Sequence, residues 1–311
     1  MSEYCYNKNN TQQKNYVSNV TQENWRNRAE KTSSLIDFPP GLQLSNNDKK
    51  KKVFYDKSVS YGMIICKENT INTREPQFLM IFSKYSYSFV DFILGKYSNM
   101  EELTELLQEI TVPEKQMILQ HYDNFKSLWD KILFKKMKMS IFAESKAKFT
   151  FFWKWIYDYL SYNFEYKYYI TDAGFPKGRK DRKAENDLSC ALREMNEETG
   201  LTSKKIDIVP GIKFSESYIK NDCNYIHEYY VGILKDPYWQ PSQYFTKAQK
   251  IEISHCGFHT LTECKNLVRD YSTQRKNILD LVANNFESYK ELIQQIKSYE
   301  SYNKCQTESV P

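Results

Sequence analysis

Apolar positions in this chain change their period several times. Residues 59–66 and 77–82 are short runs of β-branched, aromatic and aliphatic residues split by a polar turn, which predicts two paired strands. From residue 86 to 165 the spacing becomes helical. Leu103, Leu106, Leu107 and Ile110 share a face, then Ile118, Tyr122, Phe125, Leu128, Trp129, Ile132 and Leu133, then Phe152, Trp155, Ile156 and Tyr159. Residues 206–209, 213–218 and 225–234 read as strands again. Residues 273–300 predict one amphipathic helix, with Ile278, Leu281, Val282, Phe286, Tyr289, Leu292, Ile293 and Ile296 facing inward. The first fifty residues show no such period. They are rich in Asn, Gln, Ser and Lys and end in a lysine run at 49–52, so residues 1–53 read as a flexible tail.

One further helix is specified in more detail. Leu188, Ala191, Leu192 and Met195 make a narrow apolar stripe, Asn186 or Asp187 can cap its start, and Gly200 stands where a left-handed stop is wanted. Glu194, Glu197 and Glu198 follow at i, i+3 and i+4 and share the neighbouring face. A carboxylate cluster suits a hard divalent ion such as Mg²⁺ or Mn²⁺; a solvated acidic face is the plainer reading.

Charge adds two basic regions. Lys177, Arg179, Lys180, Arg182 and Lys183 crowd the loop before the acidic helix, which points to a polyanionic substrate or to a solvated loop. Residues 114–148 carry eight lysines against four acids, with Lys135, Lys136, Lys138, Lys146 and Lys148 concentrated at one helix junction. Nucleic acid would bind such a patch; a solvated face is the alternative. The aromatic stripe in this region reads as helix core rather than a stacking platform. The whole chain has 311 residues and a formal net charge of +5. Its seven cysteines lack C-x-x-C spacing, so free thiols are expected, and the four histidines form no zinc motif. With no signal-like segment and no apolar run of membrane length, the expected location is cytoplasmic.

The 24 residues from Gly178 to Leu201 resemble the Nudix box. Gly178, Glu185, Arg193, Glu194, Met195, Glu197, Glu198, Gly200 and Leu201 fill its positions, with six residues instead of five between Gly178 and Glu185. The resemblance implies hydrolysis of a diphosphate linkage with a divalent metal, held by Glu194, Glu197 and Glu198 with Gly178 beside them. It implies a structural ion pair of Glu185 with Arg193. The lead-in Gly174-Phe175-Pro176-Lys177-Gly178-Arg179 resembles the mRNA-decapping Nudix enzymes, and the layout of strands, helical stretch and box resembles those of large DNA viruses.

That likeness implies a Nudix α/β/α sandwich whose first strands, residues 54–85, are split from its catalytic part, residues 166–300, by an inserted helical domain, residues 86–165. Residues 301–311 are left as a tail. It implies removal of the 7-methylguanosine cap to give 7-methylguanosine diphosphate and 5′-monophosphate RNA, in the cytoplasm of an infected host cell. By the same likeness Glu252, in a Glu-Ile-Ser segment, joins Glu197 and Glu198 as a catalytic group and further metal ligand. Lys177 and Arg179 hold substrate phosphate, and the insert lysines bind RNA. Diphosphoinositol polyphosphates or nucleotides are the alternative substrates. A non-catalytic RNA-binding scaffold is a third reading, opposed by the intact set of mutually repelling glutamates.

Overall fold

Strand β1 (Asp56–Lys67) runs through the centre of the sheet and is buried from both sides. Met63 and Ile65 face one core and Ile64 and Cys66 the other, which explains its unbroken apolar run. The computed structural model describes residues 56–71, 75–132, 139–162, 167–220 and 223–308. The expected tail of residues 1–53 lies outside them.

β1 pairs with β2 (Gln77–Ser83) only at Cys66↔Phe78 and Lys67↔Gln77, and the two strands then part. Into this fork come β3 (Ala173–Gly174), paired with β2, and β4 (Lys177–Gly178), paired with β1 at Tyr61↔Gly178 and Gly62↔Lys177. The Met63 N–H donates to the Pro176 carbonyl at 3.0 Å, fixing the segment between them. A Cβ on Gly62 would lie 2.4 Å from that carbonyl oxygen, so the close approach requires glycine here. On its other edge β1 pairs in parallel with β6 (Cys223–Leu234), which forms an antiparallel pair with β5 (Ile206–Lys220). β7 (Ile253–Thr260) closes the far edge against β2.

The two strands expected at 206–209 and 213–218 are one strand with a bulge. The register shifts between Ile208 and Lys213, where Gly211 takes a φ of 74°. Extra residues are accommodated there without ending the strand.

Among the described residues, five helices lie between β2 and β3: α1 (Tyr87–Ile93), α2 (Met100–Glu109), α3 (Val112–Gln120), α4 (Phe125–Ile132) and α5 (Met139–Tyr162). Of the expected spacing residues, Leu103, Leu106, Leu107, Ile110, Ile118, Phe125, Leu128, Trp129, Ile132, Phe152 and Ile156 are buried, Tyr122 is instead exposed, and Leu133 lies outside the described residues. Phe149 meets Phe92 and Phe125 edge or tilted, so the aromatic stripe is core.

α6 (Asp187–Thr199) covers one face of the sheet through Ala191 and Met195, both fully buried. Its start is capped by Asn186, and Gly200 ends it with a φ of 71°. Between β6 and β7 stands the short α7 (Gln249–Glu252). The other face is covered by α8 (Leu261–Leu267), α9 (Thr273–Asn284) and α10 (Phe286–Glu308). The layers are therefore an α/β/α sandwich with a helical insert.

The single helix expected at 273–300 is two. Asn285 interrupts it: its side-chain amide donates to the Leu281 carbonyl at 2.8 Å and competes with its own backbone N–H, whose ladder bond to the same oxygen is 3.3 Å. Leu281 consequently turns half out to solvent, and Ile296 is also exposed. α10 continues past residue 300 to Glu308, where a tail was expected.

Candidate active site

The fork between β1 and β2 delivers Lys177 and Gly178 to the flank of α6, against Cys190, Glu194 and Glu198. A Cβ on Gly178 would fall 2.0 Å from the Glu194 carboxyl carbon, so glycine is needed for this carboxylate to lie against the strand. The loop that follows closes on itself. The Asp181 N–H donates to Glu185 at 3.0 Å, the Glu185 N–H to the Arg182 carbonyl, and the Lys180 ammonium meets Asp187 at 2.6 Å. The extra residue relative to the usual box spacing is held within this loop.

Arg193 is the hub. Its Nε and Nη2 donate to the two Glu185 oxygens at 2.9 and 3.1 Å, a two-point fork that holds the Glu185 carboxyl down to about 2. Nη2 also donates to the Arg179 carbonyl at 2.9 Å. Nη1 donates to Glu194 Oε1 at 2.9 Å and to Glu197 Oε2 at 3.2 Å. The expected ion pair is present, and the same guanidinium also holds Glu194 and Glu197, two of the expected metal ligands.

The three glutamates of α6 differ sharply. Glu197 is exposed. Glu194 is half-buried and its carboxyl is pushed up by burial, against the pull of Arg193. Glu198 is half-buried; desolvation, with help from Glu194 and Glu252, raises its carboxyl to about 8, although Lys177 opposes this. Its Oε2 accepts the Lys177 backbone N–H at 2.9 Å.

Glu252 was expected on or before a strand. It is the last residue of α7, next to β7, and its carbonyl accepts the Lys84 N–H at 2.9 Å. Gln249 ties α7 to α6 by donating to the Glu198 carbonyl at 3.3 Å. Glu197, Glu198, Ala248, Gln249, Glu252 and Ile253 line one hollow of about 140 Å³. The fold thus brings Glu252 to the acidic helix across more than fifty residues.

Among the described residues, no three Asp, Glu, His or Cys side chains converge closely enough to hold a metal ion as they stand. The donor set nevertheless fits a hard divalent ion in kind: Glu194, Glu197, Glu198 and Glu252 are all oxygen donors, and Glu252 adds to the repulsion on both Glu194 and Glu198.

The basic residues divide. Lys177 and Arg179 are partly exposed beside the hollow's helix. Lys146 is exposed on α5. Lys148 is a correction: its ammonium is buried and donates to the carbonyls of Gly95 and Tyr97 at 2.8 and 3.0 Å, so it is spent inside the insert. Lys135, Lys136 and Lys138 lie outside the described residues.

A second group escaped the sequence reading. Tyr218 and Tyr225 face one another across β5 and β6 and stack with centroids 5.1 Å apart at 11°. His227 tilts against Tyr218 at 5.7 Å; it is buried, its Nδ1 has no hydrogen-bond partner, and burial lowers its pKa to about 3. Tyr87 of α1 stands near, with the Lys177 ammonium 6.0 Å from its ring. Below them Glu216 accepts hydrogen bonds from the Tyr229 hydroxyl and the Arg275 guanidinium. The alternation of Tyr225, His227 and Tyr229 was the available signal, since period two puts all three on one sheet face.

The strand fork, the close approach at Gly178 and the Arg193–Glu185 pair give shape to the segment that resembles the Nudix box. The chain is similar to mRNA-decapping protein g5R of African swine fever virus (isolate Pig/Kenya/KEN-50/1950), 25% identical over 260 residues, which cover 74% of this chain and 96% of that protein. It is also similar to a protein of Acanthamoeba polyphaga mimivirus named for mRNA decapping, 27% identical over 233 residues, 66% of this chain and 64% of that one. No family model matches the chain. Among solved structures it is similar to a C. elegans Ap4A hydrolase binary complex, with 11% identity, 78% and 97% of the two chains covered and a TM-score of 0.34. A NUDIX domain of Shewanella oneidensis NrtR with ADP ribose gives 8%, 77% and 94%, and 0.36. No described helix is long and apolar enough to cross a membrane.

Proposed function

We propose that this chain removes the cap of mRNA, releasing 7-methylguanosine diphosphate and 5′-monophosphate RNA, with Mg²⁺ or Mn²⁺. The observation that carries the reading is the meeting of Glu252 with Glu197 and Glu198 in one hollow, beside Lys177, whose backbone N–H donates to Glu198. The likeness to decapping proteins, which spans nearly all of the swine fever protein, supports the choice of substrate.

Glu194, Glu197, Glu198 and Glu252 would hold the metal, which when bound neutralises phosphate charge and makes water a stronger nucleophile. The chain's own groups do the rest. Glu252 and Glu198 are placed to orient water and accept its proton. Lys177 and Arg179 hold the phosphates of the bridge, and release of the diphosphate leaves the RNA with its monophosphate. Arg193 and Glu185 keep the loop and helix in register. The cationic methylated base needs an aromatic surface, and Tyr87, Tyr218 and Tyr225 provide one within reach of Lys177. This reading carries with it a site of action in the cytoplasm of an infected host cell.

The test is cap-labelled RNA incubated with Mg²⁺ or Mn²⁺ and resolved by chromatography, with diphosphoinositol polyphosphate in parallel. Release of labelled 7-methylguanosine diphosphate is expected. Turnover of the inositol compound alone would overturn it in favour of the small-substrate enzyme.

A further inference from the structure

The segment between β6 and α7, residues 235–248, approaches the carboxylate hollow and contributes Ala248 to its wall, with Gln249 and Glu252 of α7 beside it. Its path is fixed by its own side chains. The Gln243 amide donates to the Cys256 carbonyl at 2.9 Å, the Tyr244 N–H to Ser242 Oγ at 3.0 Å, and Thr246 and Gln249 cap one another reciprocally at 2.9 and 3.2 Å. Trp239 packs edge-on against Phe258, Lys67 donates to the Pro237 and Trp239 carbonyls, and Phe245 packs against the core beneath α6.

Against that anchored backbone, two rings are left outside. Tyr244 is 94% exposed and Tyr238 77% exposed. Lys247 and Lys250 are exposed as well, and neither has a carboxylate partner among the described residues. From Tyr238 to Ile251 the sequence contains no Asp or Glu. A large ring held in water on a rigid loop loses little freedom when something stacks on it, and unpaired lysines beside it attract phosphate. That combination of stacking platforms and basic side chains is how proteins track single-stranded nucleic acid without reading its sequence. Its position also matters: Ala248, Gln249 and Glu252 line the hollow, and Lys247 and Lys250 alternate with them in the chain.

We propose that the loop carrying Tyr238, Tyr244, Lys247 and Lys250 is a binding track for single-stranded RNA, guiding the first nucleotides of the transcript away from the carboxylates. The inference rests on the decapping reading for the direction of the chain, but binding by the loop does not depend on cleavage. It moves the RNA contact next to the chemistry, whereas the insert retains Lys146 as its described exposed lysine from the expected patch.

The experiment measures binding of a fluorescent, uncapped, single-stranded RNA of about twelve nucleotides by anisotropy, with chelator present so that no turnover occurs. Tyr244→Ala should weaken binding at least about threefold, and Tyr244→Phe should bind like the parent, because stacking needs the ring and not the hydroxyl. Lys247→Glu with Lys250→Glu should weaken binding at least about tenfold and flatten its salt dependence. Unchanged affinity in both the alanine and the double-glutamate variants overturns the track. So does equal loss in Tyr244→Phe and Tyr244→Ala, since that would mean the hydroxyl, and not a stacking face, makes the contact. Cap cleavage by the parent is scored separately: its absence with intact loop-dependent RNA binding would refute the decapping reading and leave the track standing.

Discussion

Arg193 and Glu185 meet through two parallel hydrogen bonds, 2.9 and 3.1 Å long, and this fork ties the end of a basic loop to the middle of the acidic helix. The same guanidinium reaches Glu194 and Glu197. One side chain therefore sets the loop's path and balances the charge of the helix.

Arg193→Lys keeps the charge but cannot make the fork, since an ammonium lacks the planar pair of donors. Turnover should fall at least about tenfold from misplacement of the carboxylates. Glu185→Gln should show a second effect. The folded pKa of Glu185 is depressed to about 2, so its stabilisation is full above the ordinary carboxylate pKa of about 4.3 and is lost as pH falls toward 2. In thermal unfolding the parent should therefore lose more Tm than the variant between pH 5 and pH 2. Parallel curves would mean that the pair contributes nothing to the fold.

How much of this was legible in the sequence follows from the range of the interactions. The caps, stop and stripe of α6 are local, and Asn186, Gly200 and Met195 stand where their chemistry requires. The Arg193–Glu185 pair was available only through a resemblance, because the seven residues between them must first turn from loop into helix. Lys148 was misread because charge runs along the chain say nothing of burial. Its neighbour Lys146 is in solvent, while Lys148 points inward to Gly95 and Tyr97, more than fifty residues away. The break at Asn285 was hidden because a side-chain amide competing with a helix leaves the apolar period intact. The tyrosine and histidine group arises from β5 and β6 pairing, which no local pattern fixes.

Lys148→Ala consequently tests structure, not RNA binding. It leaves the Gly95 and Tyr97 carbonyls without their donor inside the insert, a loss of about 2 to 3 kcal/mol for charge-assisted bonds. Thermal unfolding should show a drop of several degrees. Lys146→Glu should leave Tm unchanged within about a degree. If the two variants behave alike, the burial of Lys148 is not maintained in solution.

His227 gives the chain an acid-sensitive core. Burial depresses its folded pKa to about 3, from an ordinary value near 6.5, with Lys177, Arg275 and Arg179 opposing its charge and Glu216 favouring it. The neutral ring is the folded form, so stability is full above about 6.5 and is lost as pH falls through the range down to 3. His227→Phe removes the group that must take up a proton. Its Tm should fall less than the parent's between pH 6.5 and 4, measured by calorimetry. An unchanged slope would assign the acid sensitivity to other groups.

Glu198→Gln and Glu252→Gln separate the roles of the two carboxylates that enter the hollow from α6 and α7. Glu198 lies among carboxylates, so the amide relieves repulsion and should leave the fold intact or raise Tm when measured with chelator. Its turnover should fall by several orders of magnitude if it both ligates metal and handles the proton. Glu252 enters from α7, fixed by the Lys84 N–H on its carbonyl, so the substitution to Gln should not disturb its backbone. Loss of a general base costs about a hundredfold or more in kcat. KM should change much less if, as proposed, Lys177 and Arg179 hold the phosphates. A variant that raises KM tenfold while keeping kcat would make Glu252 a substrate contact and return the base to Glu198 or Glu197.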